Sequence, residues 1–258
     1  MNTIRALAGV VIKELYRRKD FYVLFVLTAV LTVAAGSVRF FQDPNIVRYM
    51  KDLCLFLIWI SALLITIATT ARQIPAEREN RTIFPLLAKP VTRGQVILGK
   101  FFGCWLASGV ALVVFYVFFA VTTGSREQYW PVADYLQAFL LQWIMLGVVT
   151  AMTLLGSIIF AAPSSTVTIL FIVVAGILFL GRHLNTIAMH NPEPLRSVIY
   201  TIYFIIPHLE LFDVRERLVN DWGLVNWLDC GLAALYAAAY AGLFLLLTWL
   251  AFRRKSLN

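Results

Sequence analysis

Charge is what this sequence has least of. Only 14% of its 258 residues are charged, 60% are hydrophobic, and the mean hydropathy is +0.79. A soluble domain of this length carries roughly 25% charged residues to cover its surface, so a soluble globular fold is excluded. Cysteine is nearly as scarce. Cys54, Cys104 and Cys230 fall inside or at the edge of apolar runs, with no CxxC spacing, and read as small hydrophobes with no redox or metal logic. Linkers and low-complexity tails are missing too, so one membrane domain, 1–258, is expected to account for the chain.

What is present is a series of long apolar runs. A helix crossing a bilayer core needs about 20 consecutive apolar residues. Six segments approach this: 21–38, 53–71, 101–122, 135–161, 166–181 and 230–252, the fifth being short with a start that could lie nearer Pro163. The fold class is therefore an all-α integral membrane protein with six transmembrane helices. The brief AAPSS turn after the fourth span makes the fourth and fifth an antiparallel hairpin. Residues 2–19 repeat Ile4, Leu7, Val11 and Leu15 at helical spacing while Arg5, Lys13, Arg17 and Arg18 lie largely on other faces, which predicts an N-terminal amphipathic helix flat in the interface. VAAGS at 33–37 resembles a signal cleavage site, but the run 21–38 is long for a signal peptide.

The net charge of +8 is not a nucleic-acid face, because the cations flank apolar runs as topology signals do. With the N-terminus cytoplasmic, that side holds 14 of the 22 Lys and Arg residues, among them Arg72, Arg78, Arg81, Lys89, Arg93 and Lys100 between spans two and three. Both termini are then cytoplasmic. The longest external loop, 182–229, contains an apolar stretch at 197–212 that is broken at Pro207 and too short to cross and return. It predicts short re-entrant or outer-leaflet helices shielded by protein, since lipid cannot satisfy a free backbone.

The spans offer no chemistry. Ser61, Thr66, Gln142, Thr150, Thr153 and Ser157 are their polar content, and no proton relay or paired carboxylates stand among them. No catalytic, metal or cofactor residues are assigned. GQVILGKF at 94–101 supplies Gly94, Gly99 and Lys100 of a phosphate-cradling loop, but Phe101 stands where magnesium needs a hydroxyl, and no strand precedes it. Gly99, Gly103, Ala107 and Ala111 instead form a small-residue stripe suited to close helix packing in lipid. His183, His190 and His208 are loop residues; His190 beside Met189 leaves a copper contact open.

The informative segment is 73–100, assigned to the cytosol and punctuated by Pro75, Pro85 and Pro90. Ile83, Phe84, Leu86 and Leu87 are apolar there, with charges around them, which marks either a partner surface or contact with the inner leaflet.

ERENRTIFPLLAKPVTRGQVILGKFFG resembles the signature loop of type-2 ABC permeases, the export-type family with six spans. Glu77, Thr82, Leu86, Leu87, Pro90, Val91, Thr92, Arg93, Gly99 and Lys100 fall on the family pattern; Arg81, where glycine is common, and Phe84–Pro85 depart from it. YFIIPHLELFD at 203–213 is similar to the stretch before the family's last span, and the loop looks most like the branch that includes the permease of nitrous-oxide-reductase maturation. The resemblance implies that two permease chains, a homodimer in the simplest case, pair in the bacterial inner membrane with two copies of a soluble ATPase. It places ATP and magnesium on that partner and enzymatic activity outside this chain. It implies that Glu77, Glu79, Arg81, Thr82, Phe84, Leu86, Leu87, Pro90 and Arg93 belong to a cytosolic coupling helix docked on the ATPase. It leaves room for a periplasmic or accessory protein. Two other classes stay open: a stand-alone channel or carrier, and an anchor that transmits ATP-driven motion to an external partner.

Overall fold

The computed structural model describes residues 9–10, 13, 19–37, 46–75, 92–160 and 162–254. Their order is α1 (Lys19–Ser37), α2 (Ile46–Ala71), α3 (Arg93–Glu127), α4 (Val132–Ile159), α5 (Pro163–His190), α6 (Leu195–Ile205), a 3-10 turn (Leu209–Phe212), α7 (Arg215–Val219) and α8 (Trp227–Arg254), with no strand among the described residues. Each expected apolar run overlaps one long helix, although 21–38 and 135–161 extend past the ends of α1 and α4 at Ser37 and Ile159. Four of these are long and apolar enough to cross a membrane: Val47–Pro75, Arg93–Glu127, Val132–Ile159 and Trp227–Arg253. The apolar parts of α1 and α5, Tyr22–Thr32 and Pro163–Phe179, are shorter. The N-terminal helix expected over 2–19 lies almost wholly outside the described residues.

Several helices extend beyond the expected spans. α3 starts at Arg93, well before the expected Phe101, because Thr92 and Gln95 form a reciprocal capping box: Gln95 N–H donates to Thr92 Oγ1 (3.3 Å) and Thr92 N–H to Gln95 Oε1 (3.1 Å). The segment expected as a loop to residue 100 thus ends at 92. α5 begins at Pro163, whose fixed φ suits the first helical turn. It runs to His190, and α8 starts at Trp227, so the external loop expected over 182–229 is shorter and partly helical. Within it α6 stops before Pro207 and the chain turns by 47° into the 3-10 turn and α7.

α4 is the hub. It packs along α8 and against α2, α3 and α5, while α1 sits on α2 and α6 on α5. The larger of two apolar clusters runs through the bundle, with Leu55, Ile58, Leu112, Phe115, Met145 and Leu146 all nearly inaccessible. The outward faces are apolar as well: Val23, Val26 and Val30 on α1 and Leu228, Leu232 and Leu235 on α8 are exposed. Such a surface fits lipid, not water.

α3 and α4 are locked by a reciprocal clasp. Trp105 Nε1–H donates to the Trp143 carbonyl (2.8 Å), Trp143 Nε1–H donates to the Trp105 carbonyl (3.0 Å), and the rings stack with centroids 4.8 Å apart. Each indole lies on a glycine one turn beyond its partner. A Cβ on Gly109 would fall 2.5 Å from Trp143 Nε1, and one on Gly147 3.1 Å from Trp105 Nε1. Both indole donors are satisfied within the helix pair. Gly109→Leu should therefore destabilise the protein by about 3 kcal/mol, from overpacking and loss of the clasp. Gly176→Leu, where nothing lies within 4 Å, should change it little. Thermal unfolding of both variants in one detergent checks this; equal midpoints would refute the clasp.

Candidate functional site

Three helix ends converge where the chain leaves and rejoins the bundle around residues 76–91. α2 continues in its last turn through buried Gln73, Ile74 and Pro75. Lys100, one of the least exposed cations, donates from Nζ to the Gln73 carbonyl (3.0 Å) and to Gln73 Oε1 (3.3 Å). This fixes the end of α2 to the second turn of α3. Arg93 reaches across to α8: its Nη1 donates to the carbonyls of Phe252 and Arg253, both at 3.1 Å, and its guanidinium lies 5.6 Å from the Phe252 ring centroid. Terminal carbonyls without an intrahelical partner are the groups such a cation satisfies. Beneath them, Ile74, Ile97, Phe101, Leu154, Ile158 and Phe252 form a separate apolar plug from α2, α3, α4 and α8. The base of the segment is a rigid platform built from four helices.

Glu77, Glu79, Arg81, Thr82, Phe84, Leu86, Leu87 and Pro90 lie outside the described residues. Arg93 is described, and its side chain is turned onto α8. Gly99, Gly103, Ala107 and Ala111 lie on the buried side of α3, the helix that packs on α2 and α4. Gly99 and Lys100 are inside a regular helix, so their amides serve the helix and cradle no phosphate. Most of the named span hydroxyls turn to their own backbone: Thr66 donates to Ala62, Thr150 to Leu146, Thr153 to Val149 and Ser157 to Leu154, each at 2.7 Å, while Ser61 Oγ meets Thr28 Oγ1 across α1 and α2 at 3.3 Å. Gln142 accepts from Tyr116 OH at 2.9 Å. His183 and His190 are exposed, and His208 Nδ1 meets Glu210 Oε1 at 3.1 Å. Among the described residues no group of three or more His, Cys, Asp or Glu is placed to hold a metal.

The opposite end of the bundle holds an ion cluster that sequence reasoning missed. Lys51, 1% exposed, pairs through Nζ with Glu127 at the end of α3 (2.7 Å) and with Asp221 after α7 (3.3 Å). Asp221 adopts a left-handed φ of 52°, which short polar residues tolerate in a turn. Arg48, one turn before Lys51, hydrogen-bonds Asn220. Nearby, Arg215 grips Asp213 with two hydrogen bonds of 2.8 Å and stacks over Trp59 at 4.7 Å. Both straps tie the broken segment to α2. A count of loop cations assigns Lys51 to solvent; only its partners, distant in sequence, show it to be internal.

The family described as ABC-2 family transporter protein matches residues 4–251 of this chain. A probable ABC transporter permease protein NosY from Stutzerimonas stutzeri is 25% identical over 281 residues, covering 99% of each chain. The NosY of Pseudomonas aeruginosa is 37% identical over 81 residues, 31% of this chain and 28% of its own length.

Proposed function

Because the chain belongs to the ABC-2 family of transporter proteins, and is thus an integral membrane permease component, we propose that it is the membrane half of an exporter driven by a separate soluble ATPase. Two permease copies pair in the bacterial inner membrane with both termini cytoplasmic, and two ATPase copies, carrying ATP and magnesium, dock on residues 76–92. The observation that carries the reading is the convergence of α2, α3 and α8 at the two ends of that segment, joined by Lys100–Gln73 and by Arg93 with the α8 carbonyls. A push on the segment reaches three long helices at once. The runner-up, an anchor that passes this motion to an external protein, draws support from the spans' inward-turned hydroxyls, which leave little polar lining for cargo.

Photolabelling with an ATP analogue tests the division of labour. The isolated chain should show no labelling that ATP competes, while its complex with the ATPase should label on the ATPase. Lys100→Ala should leave nucleotide binding by the complex unchanged, because its Nζ is engaged with Gln73; competed labelling of the isolated chain, lost in this variant, would overturn the reading. Orientation has its own check. A reporter fused after Asn258 should report from the cytoplasm and a tag near Asn191 only from outside; the reverse pattern contradicts the topology.

A further inference from the structure

The bundle has an open site that the coupling reading does not use. At the end away from residues 76–91, a cleft of about 390 Å³ opens between α4, α8 and the broken segment. Leu141, Leu211, Val214, Cys230, Ala233 and Tyr236 form most of its wall, with Asp229 at the start of α8. A smaller polar pocket adjoins it across Val214 and Val225, and is bordered by Asp134, Gln137, Arg217 and Asp221. The partition between them is held in place: the Gln137 amide donates to the Val225 carbonyl (2.9 Å) and accepts from the Val225 N–H (2.8 Å).

The position of the cleft along α8 bears on what could fill it. Tyr129, Trp130, Trp222 and Trp227 are all exposed at this end of the bundle, the place of an interfacial aromatic belt. From Trp227 to Tyr236, α8 descends roughly 13 Å at 1.5 Å per residue, close to half of a hydrocarbon core of about 30 Å. The apolar cleft thus follows one leaflet from the belt inward, and its polar neighbour lies at headgroup level. Asp221 is engaged with Lys51; of the remaining charges, Arg217 and Asp134 border the polar pocket and Asp229 borders the adjoining cleft. One cation and two carboxylates match a zwitterion bearing a primary amine better than an anionic headgroup.

We propose that this cleft binds one phospholipid with an aminoethyl phosphate headgroup, its acyl chain lying along α8, its phosphate at Arg217 and its ammonium at Asp134 and Asp229. The inference needs only the membrane placement of the chain and stands or falls independently of the ATPase.

The test uses the full chain in phosphatidylcholine nanodiscs containing a phosphatidylethanolamine with a diazirine in its acyl chain. Adducts should concentrate on peptides spanning 211–214 and 230–236. Unlabelled phosphatidylethanolamine should reduce them severalfold, and phosphatidylglycerol at the same fraction should not. Ala233→Trp, which fills the cleft, should cut them at least tenfold, whereas Leu235→Trp on the outward face (73% exposed) should leave them unchanged. Adducts spread evenly over α1 and α8, no loss in Ala233→Trp, or equal competition by phosphatidylglycerol would each overturn the proposal. Cys230 supplies a readout in the wild type should the tryptophan variant fail to fold, since Cys54 and Cys104 are buried. Phosphatidylethanolamine should slow its reaction with a bilayer-soluble maleimide at least fivefold, and an unchanged rate overturns the site.

Discussion

Phe84→Ala should weaken the complex between this chain and its ATPase by roughly thirtyfold or more. Interface energy concentrates in a few desolvated anchors, and truncating one costs ~2 kcal/mol or more, which at ~1.4 kcal/mol per decade gives that factor. Phe84, Leu86 and Leu87 are the apolar residues of the proposed docking segment, with Glu77, Glu79 and Arg81 around them. The platform beneath rests on Lys100, Arg93 and the plug around Phe101, none of which the substitution touches. The bundle should therefore stay folded and inserted while the ATPase is lost. Co-purification at low protein concentration, comparing wild type, Phe84→Ala and a Leu86/Leu87 double alanine variant, gives the answer. Equal retention of the ATPase by all three would make the inner leaflet the better partner for these side chains. Glu77→Arg should act differently, leaving hydrolysis in place while transport fails.

Lys51→Ala should destabilise the folded chain. The side chain is almost fully buried, so the change removes an apolar stem as well as the charge that two carboxylates share. Removing one partner of a fully buried pair costs about 3–5 kcal/mol. Here the side chains of Glu127 and Asp221 keep 24% and 59% of their accessibility, so water repays part of the loss. About 2–3 kcal/mol remains by that discount, a fall of roughly 5–10 °C in Tm at a few degrees per kcal/mol. Lys51→Met keeps the stem and should recover part of it. An unchanged Tm for Lys51→Ala would show the cluster to be ornamental.

The four longest spans were legible because bilayer burial demands long apolar runs, and hydropathy reads these directly. The start of α3 was not placed from hydropathy: Arg93, Gln95 and Lys100 interrupt the apolar pattern, although Thr92 and Gln95 carry a capping signal three residues apart. The broken segment was legible at Pro207, where a helix cannot continue. The Trp105–Trp143 clasp was hidden, since each tryptophan and its glycine acquire meaning only when α3 and α4 meet in register. Lys51 was hidden for the same reason, with Asp221 lying 170 residues away. The proposed docking residues between 77 and 90 came from resemblance to the family, and what the fold adds is the frame at the two ends of their segment.

The central claim is that a separate ATPase powers this chain through residues 76–92, and ATP hydrolysis by the purified parts tests it most directly. The rate should be measured for the permease alone in nanodiscs, for the partner ATPase alone, and for the two together. The account predicts no hydrolysis by the permease, a stable and more active complex when the two are combined, and a return to the rate of the free ATPase with Phe84→Ala. Hydrolysis by the permease alone, or a wild-type permease that neither holds the ATPase nor changes its rate, would contradict it.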